Sequence, residues 1–310
     1  MPSILGVVVS VSKLSEARRL ISLTDKVQVL ANRLFKEIEE ISGRRLPDLG
    51  VCLHDQFSGQ LCAPLPHLPA WYSEKVIHFL ADVDWWKKQS ENLLKERYIA
   101  DVTGASKVIK QYYELWDLEF LVYLLCGHEA CHHLGLFEED EKYYNVAPRW
   151  IEEGLCFYIP YKLIEKKRKG LSELAFEADR VIFEALRQPL SEREHWLYEF
   201  YDFDIKYSKA GEELMSLIDL WDYSASIMAV YELFSISRKR LKEFMDAISK
   251  SYKYLSENLD KVKANREFMK ALFIGLGIQD TTADDFCLKF RICPPINYSA
   301  RRGKSRKREI

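Results

Sequence analysis

His128, Glu129 and His132 stand in the arrangement H-E-x-x-H, inside the apolar run LVYLLCGHEACHHLGL that covers 121–136. In a helix, residues four apart lie one turn above each other, so the two imidazoles can close on one cation. Glu129 is rotated by ~100° from His128, which keeps its carboxylate beside the ion without ligating it. Catalytic zinc takes three protein ligands and leaves a position for water, whose pKa it lowers to about 7. A carboxylate placed like Glu129 can take that water's proton and hand it to a leaving group. The bland alternative is two satisfied core histidines and a solvated glutamate. Against it stands the cost of setting such groups in an apolar helix with nothing to pair them. His133 points ~100° away from His132 and is expected in a supporting or surface position.

A third ligand is needed. Histidine at the metzincin spacing is ruled out, because Gly135 is followed by Glu138 where the ligand would stand. Beyond Pro148 the stretch RWIEEGLCFY is apolar at helical intervals and carries an acidic pair. A second helix packed on the first would deliver one of these carboxylates to the ion. Neighbouring helical residues differ by only ~100°, so the residues alone do not choose between Glu152 and Glu153.

Together the two segments resemble the gluzincin superfamily, the thermolysin-like and aminopeptidase-like zinc metallopeptidases, whose signature is H-E-x-x-H followed by W-x-x-E-G-x-A-x-Y. Trp150, Glu153, Gly154 and Tyr158 match the second motif, and Cys156 stands where alanine is usual. The resemblance implies one zinc ion held by His128, His132 and Glu153, with Glu129 as general base. It also implies a peptide or protein substrate. Downstream, WDYSASIMAVYELF from Trp221 is similar to the family's Y-x-x-[GAS]-x-x-[ILV]-x-x-[YF]-L helix, whose leading tyrosine stabilises the oxyanion. That match falls on Tyr223. His195, in SEREHWLY, is the rival donor, ranked lower because its charged neighbours suggest an exposed face. The likeness is strongest over 117–160 and runs faintly to 290. The G-x-M-E-N motif that grips a free amino terminus is absent, so endopeptidase action is expected. The E-x-x-A-D pattern of another zinc-peptidase family is nearly met at 175–179, but Ala175 occupies its ligand position. A zinc-containing binding or regulatory protein with a peptidase-like fold is the alternative from a different class.

The elements that must position these residues read as an α+β chain: a small N-terminal mixed sheet with a helix, then a mainly helical, zincin-like half. Ser15–Ile41 has apolar residues at three- and four-residue steps, as an amphipathic helix does. Leu49–His54 and Val76–Val83 read as strands, separated by CAPLPHLPAWYSE, an irregular proline-rich loop. Asp117–Leu134 is expected as one buried helix, with Tyr223–Ser237, Leu241–Asn258 and Arg266–Leu276 following and Thr282 capping a last short one. The expected divisions are 1–116, 117–298 and a basic disordered tail at 299–310.

Composition bounds the rest. The 310 residues are 48% hydrophobic and 30% charged, with a net charge of −2, which excludes a strong basic field over the whole chain and sets nucleic acid aside as a partner. No apolar run reaches the ~18 residues of a membrane span. The N-terminal apolar run lacks a preceding basic residue and a cleavage site, so a cytoplasmic protein is expected. Seven cysteines without C-x-x-C spacing are expected as reduced, mostly buried thiols. Cys126 and Cys131 flank the motif as small buried residues. The acidic run at 138–141 reads as a solvated loop. No spacing unites His54, His67 and His78. A peptide is expected to add as a strand to the edge of the Val76–Val83 run.

Overall fold

A computed structural model describes residues 5–63, 70–137, 149–252, 260–279 and 282–295. The chain forms two compact units, Met1–Leu136 with Glu152–Leu186, and Phe137–Ile151 with Arg187–Ile310. This differs from the division expected at 116/117. The reason is visible in the buried helix after Asp117, which packs within the sheet's own unit: Tyr123 donates its hydroxyl to Glu37 (2.8 Å), and Gly127 lies against Leu34.

The first unit opens with β1 (Val7–Ser10), α1 (Leu14–Ile21) and α2 (Thr24–Ser42). Val27, Leu30, Leu34 and Ile38 form the buried stripe of α2, and Gly43 ends it in the left-handed conformation that favours glycine. Then come β2 (Gly50–His54), α3 (Gln56–Cys62), β3 (Ala70–Ser73) and β4 (Val76–Leu80). The sheet order is β1-β2-β4-β3, with β1, β2 and β4 parallel and β3 antiparallel to β4. The fold class is therefore α+β, with a small mixed sheet ahead of the helices, as expected. Two details are corrected. The stretch expected as an irregular loop contains β3 at 70–73. Val76–Val83 is a strand only to Leu80, because Asp82 caps the next helix by accepting from Trp85 N–H (3.0 Å). β4 is thus interior and β3 is the edge, so the free edge expected on Val76–Val83 lies on Ala70–Ser73 instead.

Helices α4 (Val83–Leu93), α5 (Arg97–Ala100) and α6 (Ala105–Glu114) follow. The expected helix over 117–134 is one continuous helical path of changing pitch: α7 (Leu118–Leu121), a π turn at Val122–Cys126, α8 (Gly127–Cys131) and a 3-10 turn at His132–Leu134. Asp117 caps it, and Gly135 closes it with φ of 62°. Arg44 then donates to the freed carbonyls of Leu134 (2.9 Å) and Gly135 (2.7 Å). The unit is completed by most of α9 (Arg149–Glu165) and α10 (Leu171–Glu192).

The second unit is helical: α11 (Phe203–Leu214), α12 (Ile218–Ser237), α13 (Leu241–Tyr252), α14 (Lys261–Leu276) and α15 (Ala283–Lys289). Trp221, Ala225, Ile227, Val230 and Leu233 of α12 are buried among them. Phe234 stacks on Phe244 of α13 at 4.0 Å. Thr282 stands at the cap position expected for α15, its hydroxyl donating to Gln279 O (2.6 Å). The run at 138–141, the residues 253–258 expected in α13, and the basic tail lie outside the described residues. No helix among the described residues is long and apolar enough to cross a membrane.

Candidate metal centre

The π turn directly precedes the motif. It inserts one residue into the helical repeat, and α8 then presents His128 and His132 with their Nε2 atoms 3.2 Å apart and their rings nearly perpendicular (82°). α9 crosses α8 at very close range. A Cβ added at Gly127 would sit 3.0 Å from Pro160 Cγ, so glycine is what admits the second helix. Phe157 of α9 lies 4.2 Å from the His128 ring, and the Cys156 thiol is hydrogen-bonded with Cys131. Cys126 and Cys131 are buried, as expected of small apolar residues.

That crossing places the acidic pair near the start of α9, Glu152 and Glu153, inside the protein at 4% and 5% exposure, but on different atoms of the pair of rings. Glu153 Oε2 lies 3.2 Å from His128 Nε2 and 3.6 Å from His132 Nε2. Glu152 Oε2 instead faces the other nitrogen of His132, Nδ1, at 3.8 Å. The choice left open by the residues alone is resolved by this geometry: Glu153 converges with the histidines, and Glu152 stands behind one of them.

The three converging atoms form a triangle with edges of 3.2, 3.2 and 3.6 Å. Bonds of about 2.0–2.1 Å in a tetrahedral zinc site put ligand atoms about 3.3 Å apart. Two imidazoles and one carboxylate are also a donor set that catalytic zinc takes. His128, His132 and Glu153 therefore fit the ion that the motif implies. His128 and Glu153 are closed off, whereas the His132 side chain is one quarter exposed, so solvent reaches the cluster on that side.

The electrostatics agree with a site built for a cation. Burial pushes the Glu153 carboxyl up, but the two imidazoles outweigh it and hold the group well below the ordinary carboxylate range. Burial lowers His132, and Glu153 and Glu152 more than reverse that. Glu129, half-buried beside the pair, is raised chiefly by burial, with the histidines opposing and Glu153 adding to the rise. A raised carboxyl suits a group that must accept a proton and return it near neutral pH.

His133 points away from the cluster and meets the Tyr72 ring of β3 edge-on at 4.1 Å, which is the supporting position expected of it. Tyr223 is half-buried on α12 in the second unit, its ring edge-on to Phe200 at 5.2 Å. His195 differs from expectation. It is 0% exposed, with Nε2 2.7 Å from Asp222 and Nδ1 3.4 Å from Glu199. The charged neighbours in sequence do lie toward the surface, Glu192 exposed and Arg193 paired with Glu213 (2.8 Å), but the ring itself turns inward between Asp222 and Glu199 of the same unit.

No family model matches the chain, and no curated protein or solved structure matches it. What the cluster does must follow from its own geometry.

Proposed function

We propose that the chain is a zinc-dependent hydrolase of peptide bonds, acting as an endopeptidase. The observation that carries the reading is the triangle of His128 Nε2, His132 Nε2 and Glu153 Oε2, with an unligating Glu129 one residue along the same helix. Zinc held there supplies Lewis-acid polarisation and a water acidic enough to ionise near neutrality. The protein's own residues do the rest. Glu129 accepts a proton on the substrate side and returns it to the leaving amine. Glu152 holds the His132 ring in the orientation that turns Nε2 inward. Tyr223 is the proposed hydroxyl donor to the developing oxyanion, a role resting on the resemblance of its helix to the gluzincin pattern.

The edge strand supports a peptide substrate. β3 presents an unpaired side among the described residues, and its Tyr72 packs on His133, the residue after the ligand His132. An extended peptide adding to that edge would gain main-chain hydrogen bonds close to the cluster.

The test is Glu129→Gln. Hydrolysis of a peptide library by the zinc-loaded protein should fall by about 10²–10⁴-fold, while zinc content stays at that of the unsubstituted protein. Full activity in the variant would remove Glu129 from the chemistry. No cleavage by the zinc-loaded parent would favour a binding protein with a peptidase-like site.

A further inference from the structure

A second group of ligating side chains lies on the sheet. Cys52 and His54 are two residues apart on β2, so both leave the same face, and the register sets His78 of β4 opposite Cys52. Their ligand atoms lie within 4.8 Å of one another. Helix α3 covers this face: a Cβ at Gly59 would meet the His54 Cβ at 3.5 Å, and Cys52 and His54 are 5% and 1% exposed. Trp71 of β3 stacks on the His78 ring at 4.9 Å with an angle of 6°.

The hydrogen bonds around the two rings assign their lone pairs. Ser58 Oγ donates to Ser10 O at 2.6 Å, so its lone pair is what faces His54 Nδ1 at 3.2 Å. His54 therefore carries its proton on Nδ1 and turns a bare Nε2 toward His78 Nδ1, 3.0 Å away. On the far side Ser73 Oγ lies 3.0 Å from His78 Nε2 and can accept from it. Each imidazole thus has an oxygen on its outer nitrogen, the support that metal-bound histidines need, and an inner nitrogen aimed at the other. A shared proton between the rings would satisfy the same two nitrogens. It would give no place to the thiol beside them.

We propose that Cys52 Sγ, His54 Nε2 and His78 Nδ1 hold a second zinc ion, in a thiolate-containing site that braces the sheet and is separate from the His128 cluster. Two imidazoles and a thiolate are a borderline-soft set that suits zinc. Burial holds His54 at about 4 and lowers His78, so both rings are neutral donors at pH 7. Burial also pushes the Cys52 thiol up to about 11. Binding therefore breaks the Cys52 S–H bond, forms the zinc–sulfur bond and releases one proton to solvent. The ion would tie β2 to β4 and fix Trp71, whose neighbour Tyr72 reaches His133 from the opposite face of β3.

Sulfur makes the site distinguishable, because the ligands of the other cluster carry none. The experiment is a cobalt(II) titration of the full chain in a His128→Ala, His132→Ala, Cys62→Ser background, which disables the first cluster and removes the exposed thiol. One equivalent should bind and give a thiolate-to-cobalt charge-transfer band. Adding Cys52→Ser should abolish the band, and adding the half-buried His78→Gln should weaken binding at least tenfold, with far-ultraviolet circular dichroism unchanged in at least one of the two. A background protein without the band, or a band that persists after Cys52→Ser, overturns the proposal. Neither result depends on whether the chain cleaves peptides.

Discussion

Two neighbouring glutamates, both buried and both acidic, divide their labour by one helical step. Glu153 Oε2 sits on the Nε2 side of the two rings, whereas Glu152 Oε2 sits 3.8 Å from His132 Nδ1. A carboxylate behind a metal-bound imidazole fixes the ring and raises its basicity, and removing one typically lowers metal affinity about 10–100-fold. Removing a ligand is worse, since it leaves two donors for an ion that needs three. Chelator competition should therefore rank the variants. Glu152→Gln should keep stoichiometric zinc with about 10–100-fold weaker affinity, and Glu153→Ala should lose it. The reverse order would exchange the roles of the two residues. Helix geometry alone could not make this distinction, because RWIEEGLCFY presents both acids on a helix whose rotation is set only by what it packs against; in the sequence it was the likeness to the gluzincin motif that pointed to Glu153.

At the level of elements, the decisive contact is the crossing of α8 and α9. Gly127 lies under Pro160, and a methyl group there would come within 3.0 Å of the ring. Replacing glycine by alanine inside a helix gains about 1 kcal/mol in propensity, and overpacking costs about 1–3 kcal/mol. The gain offsets only the low end of that cost, leaving a net loss of about 0–2 kcal/mol. Nothing offsets the change in geometry, because the second helix must move by a few tenths of an ångström and carries Glu153 with it. Gly127→Ala should thus lower the thermal unfolding temperature modestly while zinc affinity falls severalfold, and Gly127→Ala with Pro160→Ala should recover the affinity. Unchanged affinity in the single variant would mean that the crossing does not set the ligand position. Much of this layer was legible. The stripe of α2, the strands at 50–54 and 76–80 and the helical path from 117 to 134 follow from apolar spacing alone. The hidden parts have local causes. β3 was masked by the prolines before it, and its two-residue turn to β4 uses Glu74 and Lys75 at φ of 48° and 66°, residues that carry none of the usual Asn-Gly signal. The Cys52–His54–His78 group was hidden because C-x-H means nothing until a parallel neighbour brings His78 opposite; no single run of residues contains it.

On the scale of the whole molecule, the two units keep their buried charge differently. The first sets Glu152 and Glu153 against the imidazoles of the His128 cluster and Asp55 on the N–H groups of Ser12 and Ser58. The second encloses its buried charge in an ion network, with no ligand cluster of its own among the described residues. His195 is the centre of that network. Burial lowers its pKa, but Asp222 on Nε2 and Glu199 on Nδ1 outweigh burial and raise it above the usual value. Lys206 stands 3.3 Å from Asp222, and Lys209 pairs with Glu199, so both carboxylates are shared with lysine side chains. Because the folded-state pKa exceeds the unfolded value of about 6.5, the protonated ring stabilises the fold fully below that pH. The stabilisation is then lost as pH rises through the folded pKa, at up to about 1.4 kcal/mol per pH unit for one proton. His195→Gln removes the titrating ring and with it this slope. Urea unfolding followed by tryptophan fluorescence, with Trp221 5.5 Å from the ring as the local reporter, should show the parent's advantage over the variant shrinking steadily from about pH 6.5 upward. An advantage that grows with pH would mean that the ring is held neutral, and that the carboxylates belong to the lysines alone.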